Sequence, residues 1–256
     1  MDRVREPLPS RVEDTPPLPP EYDDAIRAGL AGMGLSITAE ARTAIDGHIR
    51  LLLAWTHAIN LTAIHDAADA ANRHVIDSLT AVPVIRSARV ARILDLGSGG
   101  GLPGIPLAAA TTVDATLVEP IGKKARFLET AVTAIGLADR IEVAAERAEV
   151  LARSARHRGA WPVVTARAVA SLSELVELAL PLLEPGGSLV AWKRGELDEE
   201  LGSAERALRA LGGGGIRLVD PAVPMLPGHR LVVVTRTGHV PVTFPRDPAA
   251  RRRRPW

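Results

Sequence analysis

The 256-residue sequence predicts an α/β fold: a mostly parallel, seven-stranded sheet with helices on both faces and a helical N-terminal extension. Three observations carry this. Short apolar runs recur between residues 93 and 234 and alternate with stretches of three-and-four apolar spacing, the signature of a three-layer parallel sheet. The first run, Ile93, Leu94 and Leu96, stops at a glycine-rich turn that leads into Ile105, Leu107 and a block of alanines. The last two, Ile216–Val219 and Leu231–Val234, have no helical pattern between them and read as an antiparallel pair at one sheet edge.

Residues 1–20 are rich in proline and charge without a period, so a disordered leader without a site is expected there. Residues 21–88 form the helical extension. Ile26, Leu30 and Leu35 begin a helical reading, and Ile45, Ile49, Leu52, Leu53 and Trp55 extend it. Asn60-Leu61-Thr62 breaks the period, and a helix resumes at Arg73-His74-Val75-Ile76-Asp77-Ser78-Leu79 and ends before Ser87, with Pro83 as a kink or an early stop. The sheet domain covers residues 89–238. After the turn come strand Thr116–Val118, helix Lys123–Ile135, strand Ile141–Ala144, strand Trp161–Ala166, helix Ser171–Leu182, turn Pro185-Gly186-Gly187, strand Ser188–Trp192 and helix Leu197–Leu211. Within Lys123–Ile135 the inward positions are Ala125, Leu128, Ala131, Val132 and Ile135, with Phe127 inward or at the edge. Residues 239–256, with four consecutive arginines, read as a mobile basic tail, either solvated or in contact with a polyanion.

Composition narrows the chemistry. With no cysteine there is no disulfide, no Cys-ligated zinc and no thiol nucleophile. A net charge of +1 gives no global basic field, and 3% aromatic residues rule out binding by many stacking platforms. No apolar run is long enough for a membrane span and no secretory signal opens the chain, so a cytoplasmic protein without a membrane partner is expected. No metal-ligand pattern is present.

The turn Asp95-Leu-Gly97-Ser-Gly99-Gly-Gly101-Leu102-Pro103-Gly104 is a cofactor cradle in outline. Glycine lets backbone N–H groups approach a ligand, and the following helix start offers unpaired donors. Gly99–Gly104 also spells the dinucleotide pattern G-x-G-x-x-G, a weak signal on its own. Asp95 is the discriminating residue: a pyrophosphate would meet a like charge, whereas the ammonium and cationic sulfur of S-adenosylmethionine would be attracted. The methyl donor is therefore favoured over a dinucleotide.

Glu119, about twenty residues beyond the glycines, is placed to accept both hydroxyls of an adenosine ribose; otherwise it is a solvated acid at a strand end. Ala148 and Glu149 open the connection after the third strand, where adenine would lie, although Glu149 also reads as a first-turn helix acid. Arg167 ends the fourth strand where donor and target meet, and its fork of donors fits the donor carboxylate, a phosphate or the guanine Hoogsteen edge; otherwise it makes a rim salt bridge. Lys193 and Arg194 reach the same rim and are candidates for RNA phosphates or for plain solvation. His74 reads as a core histidine that shapes the site.

Several motifs together resemble those of the bacterial 16S rRNA guanine-N7 methyltransferases, the glucose-inhibited division protein B family. They are Trp55 with Asn60-Leu61-Thr62, Arg73-His74-x-x-Asp77-Ser78-Leu79, the Asp95–Pro106 stretch, Arg167-Ala168-x-Ala170-Ser171-Leu172, and Lys193. The resemblance runs from about Leu51 to the tail. It implies a class I, Rossmann-like methyltransferase fold, S-adenosylmethionine as donor with S-adenosylhomocysteine as product, and a guanine in the 530 loop of 16S rRNA as target. The partner it implies is 16S rRNA or the small ribosomal subunit; the sequence is silent on oligomeric state, and a monomer is the default expectation.

The family's donor contacts fall on Gly97, Leu102, Ala148, Glu149 and Arg167, with an acid at Glu119; Asp95 and Gly99 complete the expected donor site. Thr56, the Lys193-Arg194-Gly195 order and the His229-Arg230 order depart from the pattern.

Guanine N7 has a lone pair and no proton, so no general base is required and no catalytic residue is named. Placement and electrostatics suffice. Carbon-5 pyrimidine methylation is excluded for want of a cysteine nucleophile. Exocyclic amino methylation lacks its Asn/Asp-Pro-Pro-aromatic motif, since Thr165-Ala166-Arg167-Ala168 stands there. The competing functions are methylation of a small molecule, a nucleotide-dependent oxidoreductase, and donor binding without catalysis.

Overall fold

Each strand alternates its side chains between two cores, and that alternation positions the site. The computed structural model describes residues 7–256. Its strands are β1 (Arg92–Leu96), β2 (Asp114–Val118), β3 (Ile141–Ala144), β4 (Trp161–Arg167), β5 (Leu183–Arg194), β6 (Gly213–Val219) and β7 (His229–Arg236). They form one sheet in the order β3-β2-β1-β4-β5-β7-β6, in which β7 pairs antiparallel with both β5 and β6 and the rest is parallel.

Ile93, Leu117, Val163, Val190 and Leu231 point into one core, while Leu94, Leu96, Val118, Val164, Leu189 and Val232 point into the other. The first core is closed by α1 (Pro20–Gly32), α2 (Ala39–Ile59), α6 (Gly104–Ala110) and α7 (Gly122–Ala134). The second is closed by α8 (Ala148–Leu151), α9 (Leu172–Ala179) and α10 (Asp198–Leu211). Phe127, inward or at the edge by sequence, is fully buried.

Between α2 and β1 the chain runs through α3 (Ala67–Ala70), a wider π-helical stretch (Ala71–Ile76), α4 (Asp77–Leu79) and α5 (Val82–Ala88). Pro83 neither kinks nor ends a helix. It lies in the first turn of α5, where a missing N–H costs nothing. Pro185-Gly186-Gly187 is not a turn between elements but part of β5, at a register shift against β4.

Both chain ends depart from expectation. Residues 1–6 lie outside the described residues, but residues 7–20 are not a disordered leader. They include a 3₁₀ turn at Val12–Asp14, and the Pro9 carbonyl accepts a hydrogen bond from Trp55 Nε1 at 2.8 Å. Arg50 donates to the carbonyls of Thr15 and Pro16. The basic tail is not loose either: it carries α11 (Pro248–Arg253), capped by Asp247 through the Ala250 N–H at 2.8 Å. Prolines lower the entropy of an extended segment, so it docks on few contacts.

Candidate functional site: the β1–β4 corner

The strand order reverses between β1 and β4, and a crevice outside the carboxyl ends of these strands is where a doubly wound sheet binds its ligand. The turn after β1 is clipped to β2 by the Gly97 and Ser98 N–H groups, which donate to the Val118 carbonyl at 2.8 and 3.1 Å. Burial alternates along it: Ser98 and Gly100 face inward, while Gly97 and Gly99 are half-buried.

Gly97 holds φ +67°, and a Cβ there would lie 2.7 Å from Val169. Val169 belongs to the loop after β4, in which Ala168 also has a positive φ, and this loop closes over the turn. Gly104 is needed for a different reason. A Cβ there would meet Leu117 at 2.3 Å and the Asp95 carboxylate at 3.0 Å, so only glycine lets α6 pack this close to the sheet.

Asp95 corrects the sequence reading. Its side chain lies beneath the turn, fully buried, and does not face the crevice. Thr165, its direct partner across β1 and β4, donates from Oγ1 at 2.7 Å, and the first-turn Gly104 N–H donates at 3.3 Å. Burial pushes the carboxyl up to about 6, against these hydrogen bonds. Asp95 thus fastens the turn to β4 and to the α6 start, and the charge argument for the donor does not act through a direct contact. His48 of α2 supports the turn from the other side, with Nε2 donating to the Gly100 carbonyl at 2.7 Å. Burial lowers this imidazole to about 4, so it stays neutral.

Glu119, just past β2, accepts the Gly99 N–H at 3.0 Å and the Ile121 N–H at 2.8 Å, one on each oxygen. A carboxylate oxygen has two lone pairs, so each retains one for a ribose hydroxyl. Leu102 is buried in the first core and its N–H is taken by the Ser98 carbonyl at 3.1 Å, which leaves it no donor for a ligand. Ala148 and Glu149 open α8 as expected, but Glu149 is more than a helix-start acid: its Oε1 accepts from Arg251 Nη2 of α11. Gly97, Val118, Ala148, Glu149, Val169 and Arg251 line one cavity of about 200 Å³. It opens to solvent and is one part of the crevice, since Glu119 and Gly99 lie outside its lining. A larger cavity of about 650 Å³ lies at the opposite ends of the strands, beside Arg86, Val113 and Arg140, away from the turn and its acids.

Arg167 makes the rim salt bridge, with Nη1 donating to Asp77 Oδ2 at 2.9 Å and to the Arg73 carbonyl at 3.0 Å. Among the described residues its Nε and Nη2 have no partner. Asp77 also accepts from His229 Nδ1 at 2.9 Å, and its backbone carbonyl accepts from Trp192 Nε1 at 2.8 Å. Lys193 is corrected. Its ammonium is spent on Glu200 at 2.6 Å and the Ala170 carbonyl at 2.9 Å, where it holds the post-β4 loop and is not free for phosphate. Arg194 is exposed and keeps its rim position. His74 accords with the core reading: it bonds Thr62 Oγ1 at 2.8 Å, and burial holds it near 3. In the sequence Asp77 and His229 stand only within motifs, and Arg251 only as one of four consecutive tail arginines, with no sign of a place beside Glu149.

The fold and this corner define a class I, S-adenosylmethionine-dependent methyltransferase. The same architecture is found in an O-methyltransferase of Bacillus cereus solved in complex with SAH, at TM-score 0.53 and 16% identity over 75% of this chain and 91% of that one. It is also found in a protein of Galdieria sulphuraria named a putative sarcosine dimethylglycine methyltransferase, at TM-score 0.53 and 13% identity over 72% of this chain and 95% of that one. At these identities the likeness is one of fold.

Sequence comparison is more specific: the family described as rRNA small subunit methyltransferase G matches residues 42–217. Ribosomal RNA small subunit methyltransferase G of Chloroflexus aggregans is 38% identical over 87% of this chain and 93% of its own length. That of Sorangium cellulosum is 35% identical over 95% and 98%. The chain belongs to the rRNA small subunit methyltransferase G family.

Proposed function

We propose that the protein methylates N7 of guanine-527 in the 530 loop of 16S rRNA with S-adenosylmethionine as donor. The observation that carries this reading is the β1–β4 corner: a glycine turn flanked by Glu119 and Glu149, beside an arginine with two uncommitted donors. When bound, S-adenosylmethionine supplies an electrophilic methyl group on a cationic sulfur and leaves as S-adenosylhomocysteine.

The chain's own residues position both partners. Gly97 and Gly99 admit the methionine part against bare backbone, and Glu119 takes the ribose hydroxyls on its remaining lone pairs. Arg167 Nε and Nη2 suit guanine O6 or a neighbouring phosphate. Binding O6 leaves the N7 lone pair free to attack. N7 bears no proton, so no side chain has to remove one. Asp77 at the rim is committed to Arg167 and His229, and Asp95 is bonded to Thr165 beneath the turn. What the protein contributes is orientation and an electrostatic setting for charge that leaves sulfur and appears on the purine.

Exposed Arg194 takes a backbone phosphate in this reading, and Lys193 acts only through the loop it holds. The substrate is 16S rRNA or the small subunit, met by a monomer in the cytoplasm. Among the described residues no helix is long and apolar enough to cross a membrane.

The test is transfer of labelled methyl from S-adenosylmethionine into small-subunit rRNA from cells that lack the modification. Label in the RNA supports the reading. Label only in small molecules points to a small-molecule methyltransferase.

A further inference from the structure

We propose that Arg251, from the C-terminal helix, is a positioning residue of the donor pocket: it holds the Glu149 carboxylate where the amino group of the donor's adenine is read. The inference rests on the donor site proposed above and extends it to a segment beyond residue 217, where the family match ends.

Arg251 is set apart from its three neighbours. Arg252, Arg253 and Arg254 are exposed, whereas Arg251 is only 9% exposed. Each of its three guanidinium nitrogens donates: Nη2 to Glu149 Oε1, Nε to Glu174 Oε1 at 2.9 Å, and Nη1 to the Arg246 carbonyl at 2.6 Å. A planar fork that meets three fixed acceptors is a rigid mount, unlike a solvated side chain.

The mount is anchored a second time. Arg246 pairs with Glu177, which is fully buried, and lies 4.7 Å from the Trp256 ring, while Trp256 Nε1 also donates to Glu177 at 2.7 Å. The segment that would otherwise be a free basic tail is thereby drawn onto α9 and α8.

Glu149 is 8% exposed, and a carboxylate so far from water needs a partner. Arg251 provides it through Oε1, and Oε2 accepts no hydrogen bond among the described residues. Both residues line the cavity that begins at Gly97 and Val118. The free lone pairs of Glu149 therefore suit the exocyclic amino group of adenine, where hypoxanthine presents a carbonyl oxygen that a carboxylate repels and carries its N–H on the neighbouring ring nitrogen instead.

The experiment is calorimetry on the full chain with S-adenosylhomocysteine and its deaminated analogue, S-inosylhomocysteine. The wild-type protein binds the adenosyl compound more tightly. Arg251→Ala is expected to weaken it at least about tenfold and to shrink the preference over the inosyl analogue, a change that a merely structural role would not produce. Arg251→Lys, which keeps the charge, is expected to restore part of the preference.

Should the alanine variant not fold, Arg251→Gln carries the same expectation. Wild-type affinity and preference in Arg251→Ala or Arg251→Gln, or an equal loss for both ligands, overturns the proposal. Gly97→Asp separates the two readings. If it abolishes binding while the Arg251 variants behave as wild type, the donor site stands and the tail's role falls. If it binds as wild type, the donor site falls and the tail's role with it.

Discussion

The two flanks of the crevice are built differently. On the β2 side, backbone does the work: N–H groups of residues 97, 98, 99 and 121 clip the turn to Val118 and orient Glu119, all within a short stretch of chain. Around β4, charged side chains do it: Arg167 with Asp77 across 90 positions, Lys193 with Ala170 and with Glu200 only seven positions on, and Arg251 with Glu149 of the β3–β4 connection across 102. A backbone flank fails when a side chain intrudes. A charged flank fails when one partner is removed and the other is left buried and unpaired. The comparison teaches that donor shape comes from one side and responsiveness to charge from the other.

The largest effect should come from the backbone flank. Gly97→Asp places a side chain 2.7 Å from Val169 on a left-handed backbone, and donor affinity should fall by more than about 100-fold in calorimetry. On the charged flank, Asp77→Ala strands Arg167 and His229, whose side chains are 12% and 17% exposed. It should cost about 3 kcal/mol, read as a melting temperature lower by roughly 6–12 °C. A variant that melts like the wild type would show the rim pairs to be idle.

A smaller effect sits under the turn, where the flanks meet. The folded protein binds the Asp95 proton more tightly than the unfolded chain, at about 6 against 3.8. This group therefore adds stability below pH 3.8 and withdraws it as pH rises through 6, by up to about 3 kcal/mol. Asp95→Asn should remove that part of the slope. The check is the pH dependence of urea midpoints for both proteins between 4 and 7. Identical slopes would contradict the buried placement.

The smallest effect belongs to the exposed arginines. Replacing Arg252, Arg253 and Arg254 together by alanine should weaken RNA association a few-fold at low salt and flatten the salt dependence, by about 0.7 in slope for each lost phosphate contact. Donor affinity should not change, because Arg251 is intact. Filter binding across ionic strengths checks this, and an unaltered slope would leave these side chains merely solvated.

The same division explains what could be read from the chain beforehand. The strands, the glycine turn and Glu119 are visible as local spacing, since strand, turn and acid lie close in sequence. Asp95 was visible as a residue but not in its role. Its partner Thr165 is 70 positions away, and only the β1–β4 register brings them together. Lys193 reads as a phosphate ligand because the sequence does not show that α10 starts close enough for Glu200, seven positions on, to reach back onto it. The tail looked mobile because a run of arginines carries no period, while the acids that receive it, Glu149, Glu174 and Glu177, lie on two other helices. Local backbone geometry leaves a trace in sequence. Long-range charge pairing leaves almost none.

The account turns on the corner between β1 and β4 serving methyl transfer to a guanine ring nitrogen. The most direct measurement is mass-spectrometric mapping of 16S rRNA after incubation with the protein and S-adenosylmethionine. The account predicts 7-methylguanosine within the 530 loop, lost in Gly97→Asp. A methyl group on another atom or another nucleotide, or RNA that stays unmodified while donor is bound, would contradict it.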